Sequence, residues 1–360
     1  MSDDLSGDEV GVDPGFLVNA DPGEVLGVLE ANPASSPTVR RLRAMYRTSE
    51  YPYRAVTPGV RRQLLALDAS RFGERELAAR ISSVAVEGEP DALWTVEWAT
   101  SSEIVLTYRD TFPGHTDTVK SVSLGAVEGR DVAVTTGWDK TVRVWDLADG
   151  RQVGEPLAGD TSGTRGVART VVVEGRPVVT VGFAPADQPV DESLAGHIEA
   201  AWTVATGVVD GCPVVAVADG EKPVQVWDLA TGSPVGEPFT GHTEPARVVA
   251  TGVVDGRPVA VTGSLDTTVR VWDLATGRPI GKPLIGHTES VWAVATGVVD
   301  GRPVAVTGSS DETVRVWDLA AGRLVGPELV FPSQVGAVAV TPDGRLVVGF
   351  GWEVAVLTHR

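Results

Sequence analysis

From about residue 81 onward, apolar and polar positions alternate in short runs, each closed by Gly, Pro, Asp or Glu, which is the pattern of half-buried strands joined by tight turns. The runs recur. Residues 286–322 read GHTESVWAVATGVVDGRPVAVTGSSDETVRVWDLAAG, and the segment 45 positions earlier repeats them nearly letter for letter. Residues 251–264 and 296–309 are both TGVVDGRPVAVTGS, and an internal period of this size predicts a solenoid or propeller. An acidic residue followed by Gly marks the first hairpin of each copy: Glu87-Gly88, Glu128-Gly129, Glu174-Gly175, Asp210-Gly211, Asp255-Gly256, Asp300-Gly301 and Asp343-Gly344. Apolar runs such as Pro303-Val304-Ala305-Val306 follow these turns and suit strands covered on both faces. Seven turns predict seven sheets of about 40 residues each.

Before residue 81 the apolar spacing is helical, with Val39, Leu42 and Met45 on one face and Val60, Leu64 and Leu67 on another. Thr57-Pro58 reads as a helix start, and Gly73 precedes a shorter helix containing Leu77 and Ile81. Charge divides this region further. Residues 1–34 carry eight acidic and no basic side chains and read as a largely disordered acidic leader, with one helix capped by Asp21 ahead of Val25, Leu26 and Leu29. Residues 40–80 hold ten Arg against four acidic residues. An Arg-rich surface could hold an acidic partner, but a solvated helix face is the preferred reading. The expected organisation is therefore a leader at 1–34, an Arg-rich helical region at 35–80 and an all-β repeat domain at 81–360.

Each clear copy opens with Gly-His and closes with Val-Trp-Asp, with a spacing of 30 in His115 to Trp145, His197 to Trp227, His242 to Trp272 and His287 to Trp317. Through these motifs, residues 114–322 resemble the WD-repeat family of β-propellers; residues 81–113 and 331–360 match more weakly. The resemblance implies a seven-bladed propeller, with six blades as the alternative. It also implies buried tetrads of His, Thr, Asp and Trp: His115, Thr135, Asp139 and Trp145; His242, Thr262, Asp266 and Trp272; His287, Thr307, Asp311 and Trp317. In the copy of His197 and Trp227, Val217 and Glu221 replace the Thr and Asp, leaving a partial tetrad. A His, a hydroxyl and a carboxylate also invite a catalytic reading. Repetition argues against it, because a buried polar group in every blade must be hydrogen-bonded whatever its chemistry.

Family members usually close the ring with an N-terminal strand, for which Tyr51 to Val56 is the expected donor. The third copy is irregular: Gly159-Asp160 replaces Gly-His, and APADQPVDESLAG stands where its outer strands should be. The family's top-face binding positions map onto Lys120, Trp138, Arg165, Trp202, Arg247, Leu265 and Trp292. Trp and Arg are enriched at interface hot spots, so a protein or peptide partner is expected there.

The formal charge of −18 disfavours nucleic-acid binding. No apolar run reaches membrane-spanning length, the first residues do not resemble a secretory signal, and the single Cys212 fits a reducing compartment, so a cytoplasmic location is expected. No metal or cofactor is expected, since the repeat histidines lie in separate blades and no phosphate-binding Gly-rich loop is present. These readings point to a non-enzymatic interaction scaffold. Two alternatives are an enzyme using Asp187, Asp191 or Glu192 at a central channel, and a detached regulatory tail of an ATPase- or protease-containing signalling system.

Overall fold

The computed structural model describes residues 13–31, 37–100, 114–127, 130–139, 141–153, 157–158, 168–173, 176–181, 203–218, 222–228 and 230–360. The chain forms two compact units, one of residues 1–114 with 355–360, the other of residues 115–354.

In the first unit, helices α1 (Pro14–Asn19) and α2 (Pro22–Ala31) are each opened by an aspartate and a proline. Asp13 accepts the Phe16 N–H at 2.8 Å, and Asp21 accepts the N–H groups of Gly23 at 2.8 Å and Glu24 at 3.3 Å. Leu17, Val18, Val25 and Leu29 are buried. Residues 14–31 are therefore folded, not part of a disordered leader: Asp13, Asp21 and Glu24 sit at helix starts, where the backbone favours negative charge, and Glu30 near the end of α2 pairs with Arg47. Helix α3 spans Pro37–Arg54, α4 Pro58–Arg71 with Thr57 as its cap, and α5 Arg75–Ser82.

Several of the arginines here are turned into the helical core, whereas Arg40, Arg47 and Arg80 stay exposed. Arg61 and Arg62 are buried. Arg61 donates to the carbonyls of Tyr53 at 3.1 Å, Val18 at 3.0 Å and Ala20 at 2.7 Å, and Arg62 to those of Val84 at 2.7 Å and Pro90 at 3.3 Å. Arg43 donates to the Leu29 carbonyl, Arg41 pairs with Glu74, and Arg71 pairs with Asp68 at 2.8 Å. The last turn of a helix leaves carbonyls without partners and carries partial negative charge, so a guanidinium is well suited to it.

Tyr51 to Arg54 end helix α3, so that stretch is not the donor strand. Its tyrosine serves the helical core instead: Tyr53 is buried edge-on to Tyr46, with ring centroids 5.1 Å apart. The strand of this unit is Trp94–Ala99, paired antiparallel with the end of the chain, Trp94 with His359 and Ala99 with Ala355. Helices α4 and α5 pack against it. Glu87-Gly88 makes a turn between α5 and this strand, so it is not a hairpin of a first blade.

The second unit repeats one antiparallel design. Among the described residues six first strands occur: Val119–Val127, Ala168–Val173, Thr203–Val209, Ala246–Val254, Val291–Val299 and Val335–Val340, each paired with the strand after it. Asp210, Asp255 and Asp300 adopt φ of 49°, 50° and 49°, and the glycines after them 82°, 77° and 74°, the left-handed pair that a two-residue hairpin requires. Residues 128–129 and 174–175 lie outside the described residues, although Val127 pairs with Arg130 and Val173 with Arg176. The hairpin arginines Arg130 and Arg257 are exposed and approach Asp146 and Asp273 at 3.6 and 3.7 Å.

Second strands such as Arg302–Ser309 are buried from Val304 onward on both faces. Successive first strands lie side by side in the order 203–209, 246–254, 291–299, 335–340, 119–127 and 168–173. A threonine staples two of the steps: Thr251 Oγ1 donates to the Thr206 carbonyl and Thr296 Oγ1 to the Thr251 carbonyl, both at 2.5 Å. The approach is close enough that a Cβ on Gly297 would fall 2.5 Å from Val340 Cγ1, which explains a glycine inside a strand. Among the described residues, no helix is long and apolar enough to cross a membrane.

Candidate functional site

Two side-chain groupings recur in the second unit, one buried and one open. The buried grouping joins the tetrads. His115 Nε2 lies 2.7 Å from Thr135 Oγ1, His115 Nδ1 lies 3.0 Å from Asp139 Oδ2, and Trp145 Nε1 donates to Thr135 Oγ1 at 2.8 Å. The corresponding distances are 2.8, 2.9 and 2.8 Å around His242, and 2.8, 2.9 and 2.9 Å around His287. Proton counting orders the chain. The ionised aspartate can only accept, so the imidazole donates its Nδ1 proton to it, and the neutral ring leaves Nε2 to accept the proton of the threonine hydroxyl. Thr135, Thr262 and Thr307 are fully buried, and their hydroxyl protons are already committed. The order nucleophile, base and orienter is therefore present without access for a substrate, and the network holds strands together.

A fifth member was not read from the sequence. Thr141, Thr268 and Thr313 each stand two residues after the aspartate and donate to its Oδ1 at 2.8, 2.7 and 2.6 Å. Their recurrence at that spacing was the available signal. In the degenerate copy, Val217 packs with Val215, Trp227 and Val204 in an apolar cluster; His197 and Glu221 lie outside the described residues.

Burial pushes the carboxyl of Asp139 up, but hydrogen bonds from His115, Thr116 and Thr141 outweigh it and hold the group below the ordinary carboxylate range. Asp266 and Asp311 are lowered by the same balance. Burial also pushes the His242 imidazole down, against the opposing pull of Asp266. The unfolded chain therefore takes up the His242 proton first as pH falls, so this contribution to stability is complete above about pH 6.5 and is lost from there downward. The aspartates contribute stability above about pH 4 and lose it below. The urea midpoint is expected to fall in two stages, and His242→Gln to shrink the first. A midpoint independent of pH between about 7 and 5 would contradict this.

The open grouping is a cavity of about 420 Å³ at the beginnings of five first strands. Its lining includes Lys120, Trp138, Arg247 and Trp292, together with Thr203 and Ser310. Each position follows from a repeat: Lys120, Arg247 and Trp292 lie five residues after His115, His242 and His287, and Trp138 and Ser310 lie one before Asp139 and Asp311. Lys120 Nζ sits 3.7 Å from the centroid of Trp138, Trp292 Nε1 donates to Ser310 Oγ at 2.8 Å, and Thr203 Oγ1 donates to the Arg247 carbonyl at 2.6 Å. Trp138 keeps 53% of its surface exposed. Four of the seven top-face residues thus line one cavity. Leu265 does not line it, and its backbone N–H donates to the Pro245 carbonyl. Arg165 and Trp202 lie outside the described residues, as do Asp187, Asp191 and Glu192. Among the described residues the cavity lining holds no carboxylate, and no group of His, Cys, Asp or Glu could hold a metal ion.

Antiparallel sheets repeated in tandem, three of them held by the same buried tetrad, define a β-sheet repeat protein. Residues 106–146, 232–273 and 277–318 match the family model of the WD domain, G-beta repeat. These three stretches of the chain are WD repeats. Among solved structures, it is similar to the WD40 beta propeller domain of Doa1, with 20% identity over 69% of this chain and 67% of that one and a TM-score of 0.39. It is also similar to the computationally designed Ika4 protein, with 25% identity over 43% of this chain and 89% of that one and a TM-score of 0.35. No curated protein is significantly similar to it. WD40 propellers generally serve as protein-interaction scaffolds and are generally not enzymes.

Proposed function

We propose that this chain is a non-enzymatic docking module of six blades that takes a protein or peptide partner at the cavity bounded by Lys120, Trp138, Arg247 and Trp292. The six first strands among the described residues support the blade number, together with the pairing of Trp94–Ala99 with Ala355–His359, which brings a distant strand to the end of the chain.

The observation that carries the docking reading is the contrast between neighbouring repeats. Residues 251–264 and 296–309 are identical, whereas Arg247 stands where the next repeat has Trp292, and Leu265 where it has Ser310. Packing demands are shared by both repeats, so the run of differences between residues 245–248 and 290–293, which includes Arg247 and Trp292, points to a task outside blade packing. Trp and Arg are also the side chains that most often dominate binding energy at interfaces. The single cysteine and the acidic composition suit a cytoplasmic setting, which is part of this reading.

The test is affinity capture from the native cell with the intact chain and with the Arg247→Glu/Trp292→Ala variant, matched for far-UV spectrum and melting. A partner retained by the intact chain and reduced at least tenfold with the variant is expected. Equal capture by both would move the docking surface elsewhere.

A further inference from the structure

The cavity also constrains the chemistry of its occupant. We propose that it selects a peptide segment carrying a glutamate or aspartate, whose carboxylate reaches Lys120 and Arg247 while the apolar atoms beside it lie on the indoles of Trp138 and Trp292. This rests on the docking reading above.

Three observations carry it. First, the protein has a formal charge of −18, yet among the described residues the charged ones lining this cavity, Lys120 and Arg247, are both cationic. Salt at physiological strength screens charges beyond about 8 Å, so the remote acidic surface counts for less at the cavity than these two cations. The nearby tetrad aspartates, Asp139, Asp266 and Asp311, are turned to His, Thr and backbone donors within their own networks.

Second, a cationic occupant is disfavoured by what the cavity already holds. Lys120 Nζ lies over the Trp138 face at 3.7 Å, so an incoming ammonium would meet a like charge at the surface best able to receive it. A carboxylate meets the opposite situation, because both the ammonium of Lys120 and the guanidinium of Arg247 carry the charge that attracts it.

Third, a volume of about 420 Å³ is within the roughly 300–1,000 Å³ of small-ligand sites and admits one or two side chains of an extended segment, not a folded element. Because Trp138 and Trp292 line the same cavity, apolar neighbours of the carboxylate have rigid surfaces to cover.

The probe is a fluorescein-labelled nonapeptide in which three glutamates alternate with leucines, compared with its glutamine and lysine counterparts by fluorescence anisotropy on the full chain. The glutamate peptide is expected to bind at least tenfold tighter than the glutamine peptide, with affinity falling as salt rises, and the lysine peptide to bind weakest. Lys120→Gln/Arg247→Gln should remove the preference for glutamate, so that the glutamate and glutamine peptides bind that variant alike. Equal binding of the glutamate and glutamine peptides, preference for lysine, or binding of none up to millimolar concentration overturns the acidic-segment proposal. The capture experiment above separates the two readings: a partner still lost with Arg247→Glu/Trp292→Ala keeps the docking site and discards only its acidic specificity.

Discussion

Replacing Trp272 with alanine should lower the stability of the repeat unit by about 3–5 kcal/mol, the range for deleting a large buried aromatic side chain. Trp272 is completely buried and stacks on Phe239 with ring centroids 5.0 Å apart and planes 9° from parallel. It packs within a cluster that joins two repeats, from Val214 and Ala216 to Ala260 and Leu274. Its indole N–H also gives Thr262 its donor at 2.8 Å. Trp272→Phe separates the two contributions. It keeps most of the apolar contact but leaves the threonine oxygen without that donor, and should cost about 1–3 kcal/mol beyond the small loss of volume. Urea unfolding followed by far-UV circular dichroism reads both. A loss below about 1 kcal/mol for Trp272→Ala would mean that the cluster does not hold these repeats together.

Arg61→Met should have the second largest effect, a loss of about 3 kcal/mol or more from the helical unit, because it retains most of the aliphatic stem but leaves carbonyls unpaired at about 1–3 kcal/mol for each that stays buried. Arg61 is 7% exposed and serves Val18 and Ala20 at the end of α1 and Tyr53 at the end of α3. One planar guanidinium therefore satisfies the ends of two helices. Arg61→Lys restores the charge but not the fork and should recover only part of the loss. Urea titrations of the helical signal test this. Equal stability of the arginine and methionine forms would show that water satisfies these carbonyls.

The buried network was legible because it is local to one repeat and written three times. His, Thr, Asp and Trp recur at fixed spacing, and the short turn at residues 265–268, which carries the tetrad Asp266, brings Thr262 opposite Arg270 and places Trp272 across from Ala260. The added threonines, Thr141, Thr268 and Thr313, were equally repeated, but threonine is so common in strands that its role emerges only from the hydrogen-bond distances.

Outside the repeats, local pattern was a weaker guide. Tyr51 to Val56 alternates like a strand, yet helix α3 runs through Arg54 because Tyr46 and Tyr53, two turns apart, face the same helical core. Trp94–Ala99 carries a genuine strand pattern, but nothing within it announces that its partner is Ala355–His359. The residues of the cavity were likewise readable as unusual one by one. That Lys120 lies over Trp138, and that Arg247 and Trp292 border the same space, depends on strands brought together from several repeats.

The sequence by itself determined the repeat, the hairpins at Asp210, Asp255 and Asp300, the three tetrads and the helix starts at Asp21 and Thr57, because each depends on residues within one hydrogen-bonding neighbourhood. Only the tertiary structure decided that residues 14–31 are folded, that Arg61 closes helix ends and Arg62 holds the carbonyls of Val84 and Pro90, which strand the chain's end pairs with, and which of the divergent repeat positions share a cavity. Those outcomes join residues tens to hundreds of positions apart, and pairing at that distance is selected by the free energy of the whole packed arrangement, which no local pattern encodes.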